Sequence, residues 1–82
     1  MFLLIFDKKA ARFLASLQKP LAIRIYKKLE TAKADPFRYF ERLAGRTDYK
    51  LRVGDYRAIA DINAGLQRID VTKIGHRKNV YE

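Results

Sequence analysis

The chain has 82 residues, 49% of them apolar, and its 18 Lys and Arg against 9 Asp and Glu give a net charge of +9. A chain this short buries only about 60 to 65% of its unfolded surface, which supports one core and excludes a second, so residues 1–82 are read as a single domain. Cysteine is absent and there is one histidine, which excludes disulfides and thiolate metal sites and argues against structural zinc. No cofactor is expected, and any chemistry is expected to run without a metal. The charge excess points to a polyanion or an acidic protein as partner.

In chain order, Phe2 to Phe6 is apolar at every position, the pattern of an inner strand covered by helices on one side. No basic leader precedes this run and Asp7-Lys8-Lys9 cuts it off, far short of a secretion signal or a membrane span, so a cytoplasmic protein is expected. Asp7 stands where a helix N-cap belongs, and from about Lys8 to Gln18 the residues Ala10, Phe13, Leu14 and Leu17 recur at helical spacing. That leaves Lys8, Lys9 and Arg12 for solvent. A second helix is predicted from about Pro20, with Leu21, Ile25, Leu29 and Ala32 as its buried stripe, ending before Asp35-Pro36. The two form an antiparallel hairpin. Phe37, Tyr39, Phe40 and Leu43 follow in a non-periodic connector expected to fold over the core, closed by Gly45.

From Tyr49 the period is two. Tyr49, Leu51 and Val53 alternate with Lys50 and Arg52; Gly54-Asp55 signals a turn; Tyr56, Ala58, Ala60 and Ile62 then alternate with Arg57, Ile59 and Asp61. Asn63-Ala64-Gly65 signals another turn, and a last strand is predicted from about Leu66 to Ile74, with Ile69 and Val71 on one face and Arg68, Asp70 and Thr72 on the other. All four glycines fall at expected element ends, where positive φ costs least. The order β-α-α-β-β-β predicts an α+β domain: an antiparallel β-sheet with an N-terminal helical hairpin packed on one face. The opposite face is expected to be open and to carry Lys50, Arg52 and Arg57.

Beyond the last strand, Gly75 is expected to release the backbone. His76, Arg77, Lys78 and Tyr81 then supply a proton carrier, two fixed cations and a phenol, the side-chain types that bind and process phosphate esters. Cations on alternate strand residues are also what any solvated sheet face carries.

The segment Tyr49-Lys50-Leu51-Arg52-Val53-Gly54-Asp55-Tyr56-Arg57, followed by the terminal Ile74-Gly75-His76-Arg77-Lys78-Asn79-Val80-Tyr81, resembles the RelE branch of the RelE/ParE toxin superfamily. In element order the resemblance spans nearly the whole chain. It implies the toxin of a type II toxin–antitoxin system: an endoribonuclease that enters the ribosomal A site and cuts mRNA by metal-free attack of the 2'-hydroxyl, inhibiting translation. By resemblance, Arg57 and Arg77 fall on the family's functional arginines, Lys50 and Arg52 on its paired basic strand positions, and Tyr81 on its C-terminal tyrosine. These five are the candidate catalytic residues, with His76 and Lys78 as candidate RNA-binding residues. At Arg52 the chain departs from the best-known members, which carry a second lysine. Arginine, whose guanidinium stays protonated at every working pH, cannot act as a general base, so proton removal falls to Lys50, Tyr81 or His76.

The resemblance further implies an acidic RelB-like antitoxin that folds on binding, in a heterotetramer or larger complex, with the ribosome and mRNA as targets and no membrane. Two other readings fit the composition. One is a ParE-like toxin that inhibits DNA gyrase by binding on the same fold; the other is a non-catalytic basic nucleic-acid-binding module, because charge alone predicts only salt-sensitive polyanion binding. The arginine and tyrosine tail favours RNA cleavage over the gyrase reading, and the signature of the third would be binding without cleavage.

Overall fold

The computed structural model describes residues 1–76. Its elements run β1 (Leu3–Phe6), α1 (Lys8–Ser16), α2 (Lys19–Ala32), α3 (Pro36–Tyr39), β2 (Glu41–Arg42), β3 (Tyr49–Val53), β4 (Tyr56–Asn63) and β5 (Arg68–His76). The strands form one sheet in the order β1-β5-β4-β3-β2. This is the expected α+β architecture, with three refinements.

The first concerns β1, which pairs only with β5, in parallel, and so lies at the sheet edge rather than inside it. The all-apolar run misled because its two faces differ. Leu4 and Phe6 pack against the core, while Leu3 is 58% exposed. The sheet is therefore mixed, its other pairings being antiparallel. The second refinement is that the connector holds a single helical turn, α3, and a two-residue strand, β2, both too short to show a period. Of its apolar residues, Phe40 and Leu43 are buried, whereas Phe37 and Tyr39 stay exposed.

The third lies in β5. That strand runs through Gly75 to His76, so Gly75 sits inside a strand instead of ending one. Along the β4–β5 ladder Ile59 pairs with Lys73 and Ala60 with Val71, which leaves Thr72 as the extra residue of a bulge. The Thr72 hydroxyl donates to the Ile59 carbonyl at 3.3 Å. Past that point the alternation of β5 changes phase. Ile69 and Val71 face the core on one side of the bulge and Ile74 on the other, and Lys73 is turned to solvent.

The helices hold together as their stripes dictate. Ala10 on α1 and Ile25, Leu29 and Ala32 on α2 are fully buried, or nearly so, against Leu51, Ala58, Ala60, Ile69 and Val71 of the sheet. The α1 N-terminus is fixed by Asp7, whose side chain accepts from the Lys8 amide at 2.8 Å while its own amide donates to the Val71 carbonyl at 2.8 Å. A cap of this kind stabilises by about 1 kcal/mol. Strand β3 turns into β4 through Gly54-Asp55, where Gly54 has φ +59. A positive φ at the first central residue is what a type II′ hairpin turn requires, and glycine adopts it without strain. In the β4–β5 turn, Gln67 rather than Gly65 takes the left-handed conformation, at φ 52.

Candidate functional site

Residues directly opposite in neighbouring strands share a sheet face, so the pairing register defines the surface away from the helices. Arg52 pairs with Arg57 and Arg57 with Gly75, giving one row across three strands. Glu41 pairs with Lys50, Lys50 with Ile59 and Ile59 with Lys73, giving a second row. Neighbouring strands lie about 4.8 Å apart, and rows two residues apart are separated by about 7 Å. Lys50, Arg52 and Arg57 thus stand together on one face. Arg52 is exposed, and Lys50 and Arg57 are half-buried. Gly75 contributes no side chain to the row it shares with the two arginines.

This face is not wholly open. Leu43 folds back from the β2–β3 loop onto Ile59, forming a small apolar cluster separate from the main core. An ion pair between Arg46 and Asp48, at 2.6 Å, braces the same loop. The rows at Lys50, Arg52 and Arg57 are therefore walled on one side by this loop.

On the outer side of β3, a groove of about 400 Å³ is lined by Lys28, Arg38, Tyr39, Glu41, Lys50, Leu51 and Arg52. It opens because β2 pairs only with Tyr49 and Lys50, leaving the rest of that edge uncovered. Lys28 comes from α2 and Arg38 from α3, and the Arg38 guanidinium lies 5.9 Å from the centre of the Tyr39 ring. The sequence gives no sign of either contribution. Lys28 has the spacing of a solvated helix face, and Arg38 sits in a stretch with no period.

His76 lies elsewhere. It pairs with Tyr56, and their rings meet edge to face with centroids 5.3 Å apart. Tyr56 in turn faces Phe13 of α1, so His76 belongs to the helix side of the sheet and lines a pocket with Phe13 and Leu17. The bulge accounts for this placement. Uninterrupted alternation from Val71 would have put His76 beside the cations. Arg77, Lys78 and Tyr81 lie outside the described residues.

A different surface occupies the outer side of the helical hairpin: an apolar groove of about 590 Å³ lined by residues that include Phe6, Leu14, Ala22, Ile23, Tyr26 and Glu30. Ile23 and Tyr26 are exposed there. The Tyr26 phenol is raised above its ordinary pKa by its hydrogen bond to Glu30, by the charge of that carboxylate and by desolvation. Among the described residues no group of three His, Cys, Asp or Glu is placed to hold a metal ion, and no helix is long and apolar enough to cross a membrane.

Two cationic surfaces and an apolar groove are of the kinds that bind a phosphodiester chain and a protein segment. Residues 4–81 match the family model of the ParE toxin of type II toxin–antitoxin systems. Comparison with curated protein sequences gives no significant match. Among solved structures, the chain is similar to the toxin–antitoxin complex RelBE of E. coli, with a TM-score of 0.80 and 21% identity over 93% of this chain and 96% of that one. It is similar to the archaeal RelE–RelB complex of Pyrococcus horikoshii, with a TM-score of 0.81 and 23% identity over 96% and 98%. The RelB–RelE complex of Methanococcus jannaschii matches with a TM-score of 0.72 and 21% identity over 95% of each chain. At these identities the likeness is one of fold.

Proposed function

The chain belongs to the ParE toxin family, within the RelE/ParE superfamily of type II toxin–antitoxin systems, and from that membership we propose that it is a ribosome-dependent mRNA interferase. The observation that carries this reading is the gathering of Lys50, Arg52 and Arg57 in two adjacent rows on the sheet face away from the helices. Cleavage of an RNA phosphodiester by its own 2'-hydroxyl needs a base for the 2'-proton, cations for the pentacoordinate phosphorane and a proton for the departing 5'-oxygen. The Arg52 and Arg57 guanidinium groups suit the second task, since a planar fork binds two phosphate oxygens and stays charged in any surroundings. Lys50 suits the first, as the amine that stands in the row next to the two arginines. Arg77 and Tyr81 join the site by resemblance, as a further phosphate cation and as a ring able to stack on a base. His76 is set aside as base because its ring lies with Tyr56 on the helix side.

The surface is shallow, and a small domain of this kind holds free RNA weakly. The ribosomal A site supplies the positioning, turning weak binding into an oriented reaction, and the protein acts where ribosomes are, in the cytoplasm. Its partner is an acidic RelB-like antitoxin whose amphipathic segment lies in the α1–α2 groove, its charge opposing the +9 of the toxin. The complex is a heterotetramer or larger. The deciding experiment incubates the protein with programmed ribosomes and maps cuts in the message by primer extension. Cuts at the A-site codon are expected, with naked RNA left intact. Efficient cutting of naked RNA, or no cutting at all, overturns the reading.

The family model is that of ParE, which supports a second reading, a toxin that inhibits DNA gyrase by binding. Loss of supercoiling activity in a purified gyrase assay, with messages intact on ribosomes, would establish it in place of the first.

A further inference from the structure

The bulge in β5 has a chemical consequence beside the proposed site. With Thr72 as the extra residue, Lys73 comes out on the same face as Ile59 and Lys50. There it lines a second cleft, of about 540 Å³, built where the α1 N-terminus, β5 and the β2–β3 loop meet. Lys8, Lys9, Arg12, Arg46 and Lys73 line this cleft against Asp7 and Asp48. Both carboxylates are already engaged within the fold, Asp7 by the Lys8 amide at 2.8 Å and Asp48 by Arg46 at 2.6 Å. Lys8, Lys9, Arg12 and Lys73 are exposed, so their charge is available to a ligand.

We propose that this cleft is a subsite for the sugar-phosphate backbone of RNA nucleotides flanking the one that reacts at Lys50, Arg52 and Arg57. The proposal rests on the RNA-cleavage reading for what reacts, while the cleft itself is argued from its own residues. Three features select an RNA strand. The described lining holds more cations than carboxylates, which favours a polyanion. The one apolar side chain in its described lining, Ile59, is 2% exposed, so what a ligand meets is charged and hydroxyl-bearing side chains with their aliphatic stems. The cleft also adjoins the active row: Lys73, Ile59 and Lys50 lie in one row across β5, β4 and β3, with Leu43 packed on Ile59 between the two cations, so a strand that reaches both sites passes over Leu43. A bulge beside an active site commonly serves to re-aim one side chain, and here that side chain is Lys73.

The test compares two double variants of equal charge for binding to a short fluorescent single-stranded RNA over a series of salt concentrations. One is Lys9→Gln with Lys73→Gln, in the cleft. The other is Lys19→Gln with Lys33→Gln, outside it, where Lys33 makes only a surface ion pair with Glu30. Lys9 and Lys73 are exposed, and matching melting temperatures verify the fold. Each lost phosphate contact lowers the slope of log affinity against log salt by about 0.7, so the cleft variant should lose about 1.4 in slope and about tenfold in affinity at low salt. The control should lose much less. Equal losses in the two variants, or an unchanged slope in the cleft variant, overturn the proposal. So does a cleft variant that binds RNA normally but loses an acidic protein partner. Cleavage on programmed ribosomes is followed in parallel. If the wild-type protein cuts no message while RNA binding responds as expected, the cleft stands and the RNA-cleavage reading falls.

Discussion

At Lys50 the difference between a base and a counter-charge can be measured. Lys50→Arg keeps the positive charge but removes the ability to take up a proton, because guanidinium stays protonated at every working pH. If Lys50 draws off the 2'-proton, cleavage by this variant on programmed ribosomes should fall about a hundredfold or more. Wild-type rates would shift the base to Tyr81. Arg57 stands between Arg52 and Gly75 on a face where a phosphate can lie flat across the row. Arg57→Ala should slow cleavage about a hundred- to a thousandfold, the usual cost of removing one group that stabilises transition-state charge. Arg57→Lys should recover only part of the rate, since an ammonium cannot form the two-pronged contact. Single-turnover rates with saturating ribosomes check both. Alternation in the sequence was enough to bring Lys50, Arg52 and Arg57 to one face, because β3 and β4 pair without a break between them. It failed at His76. The bulge falls in Val71-Thr72-Lys73-Ile74, a run with no glycine, asparagine or proline to mark it, and one extra residue is all that turns His76 toward Tyr56.

Among the elements, the helices were the most legible, since a stripe repeated over several turns is a local signal and these stripes match the buried residues of α1 and α2. Leu29 is the clearest test of that match. It is completely buried in the main cluster, so Leu29→Ala should destabilise by about 2 to 5 kcal/mol through lost burial and the cavity left behind. A midpoint in urea unfolding close to that of the wild type would mean that the α2 stripe carries little of the core. The strand elements were less legible for a reason of distance. The pairing of β1 with β5 joins residues from opposite ends of the chain, and an apolar pentapeptide says nothing about which strand will receive it or in which direction. The β2 pairing is local but only two residues long, too short for a period of two to show. The β3-edge groove depends on the second of these, since it exists only where β2 stops and α2 passes alongside.

For the whole molecule the governing quantity is charge. Ion pairs such as Glu30 with Lys33, Arg46 with Asp48 and Arg68 with Asp70 consume one charge of each sign and leave the net +9 in full, on a body whose described part measures 34 × 27 × 22 Å. At an ionic strength of about 0.01 M the Debye length is about 30 Å, so every cation feels most of the others; at about 0.15 M it is about 8 Å and repulsion is confined to neighbours. Unfolding spreads the charges apart, so low salt should favour the unfolded chain and added salt should stabilise the fold. Relief of about 1 kcal/mol would raise Tm by about 4 to 8 °C for a domain of this size. Differential scanning calorimetry of the free protein between the two ionic strengths should show that rise. If the antitoxin is acidic, as proposed, it should neutralise the same charge by binding the folded form, so in the complex the salt dependence should shrink or reverse while Tm climbs with antitoxin concentration. A free protein whose Tm falls as salt is added would show that its ion pairs outweigh its excess of cations, and the charge-driven account of its partner would lose its physical basis.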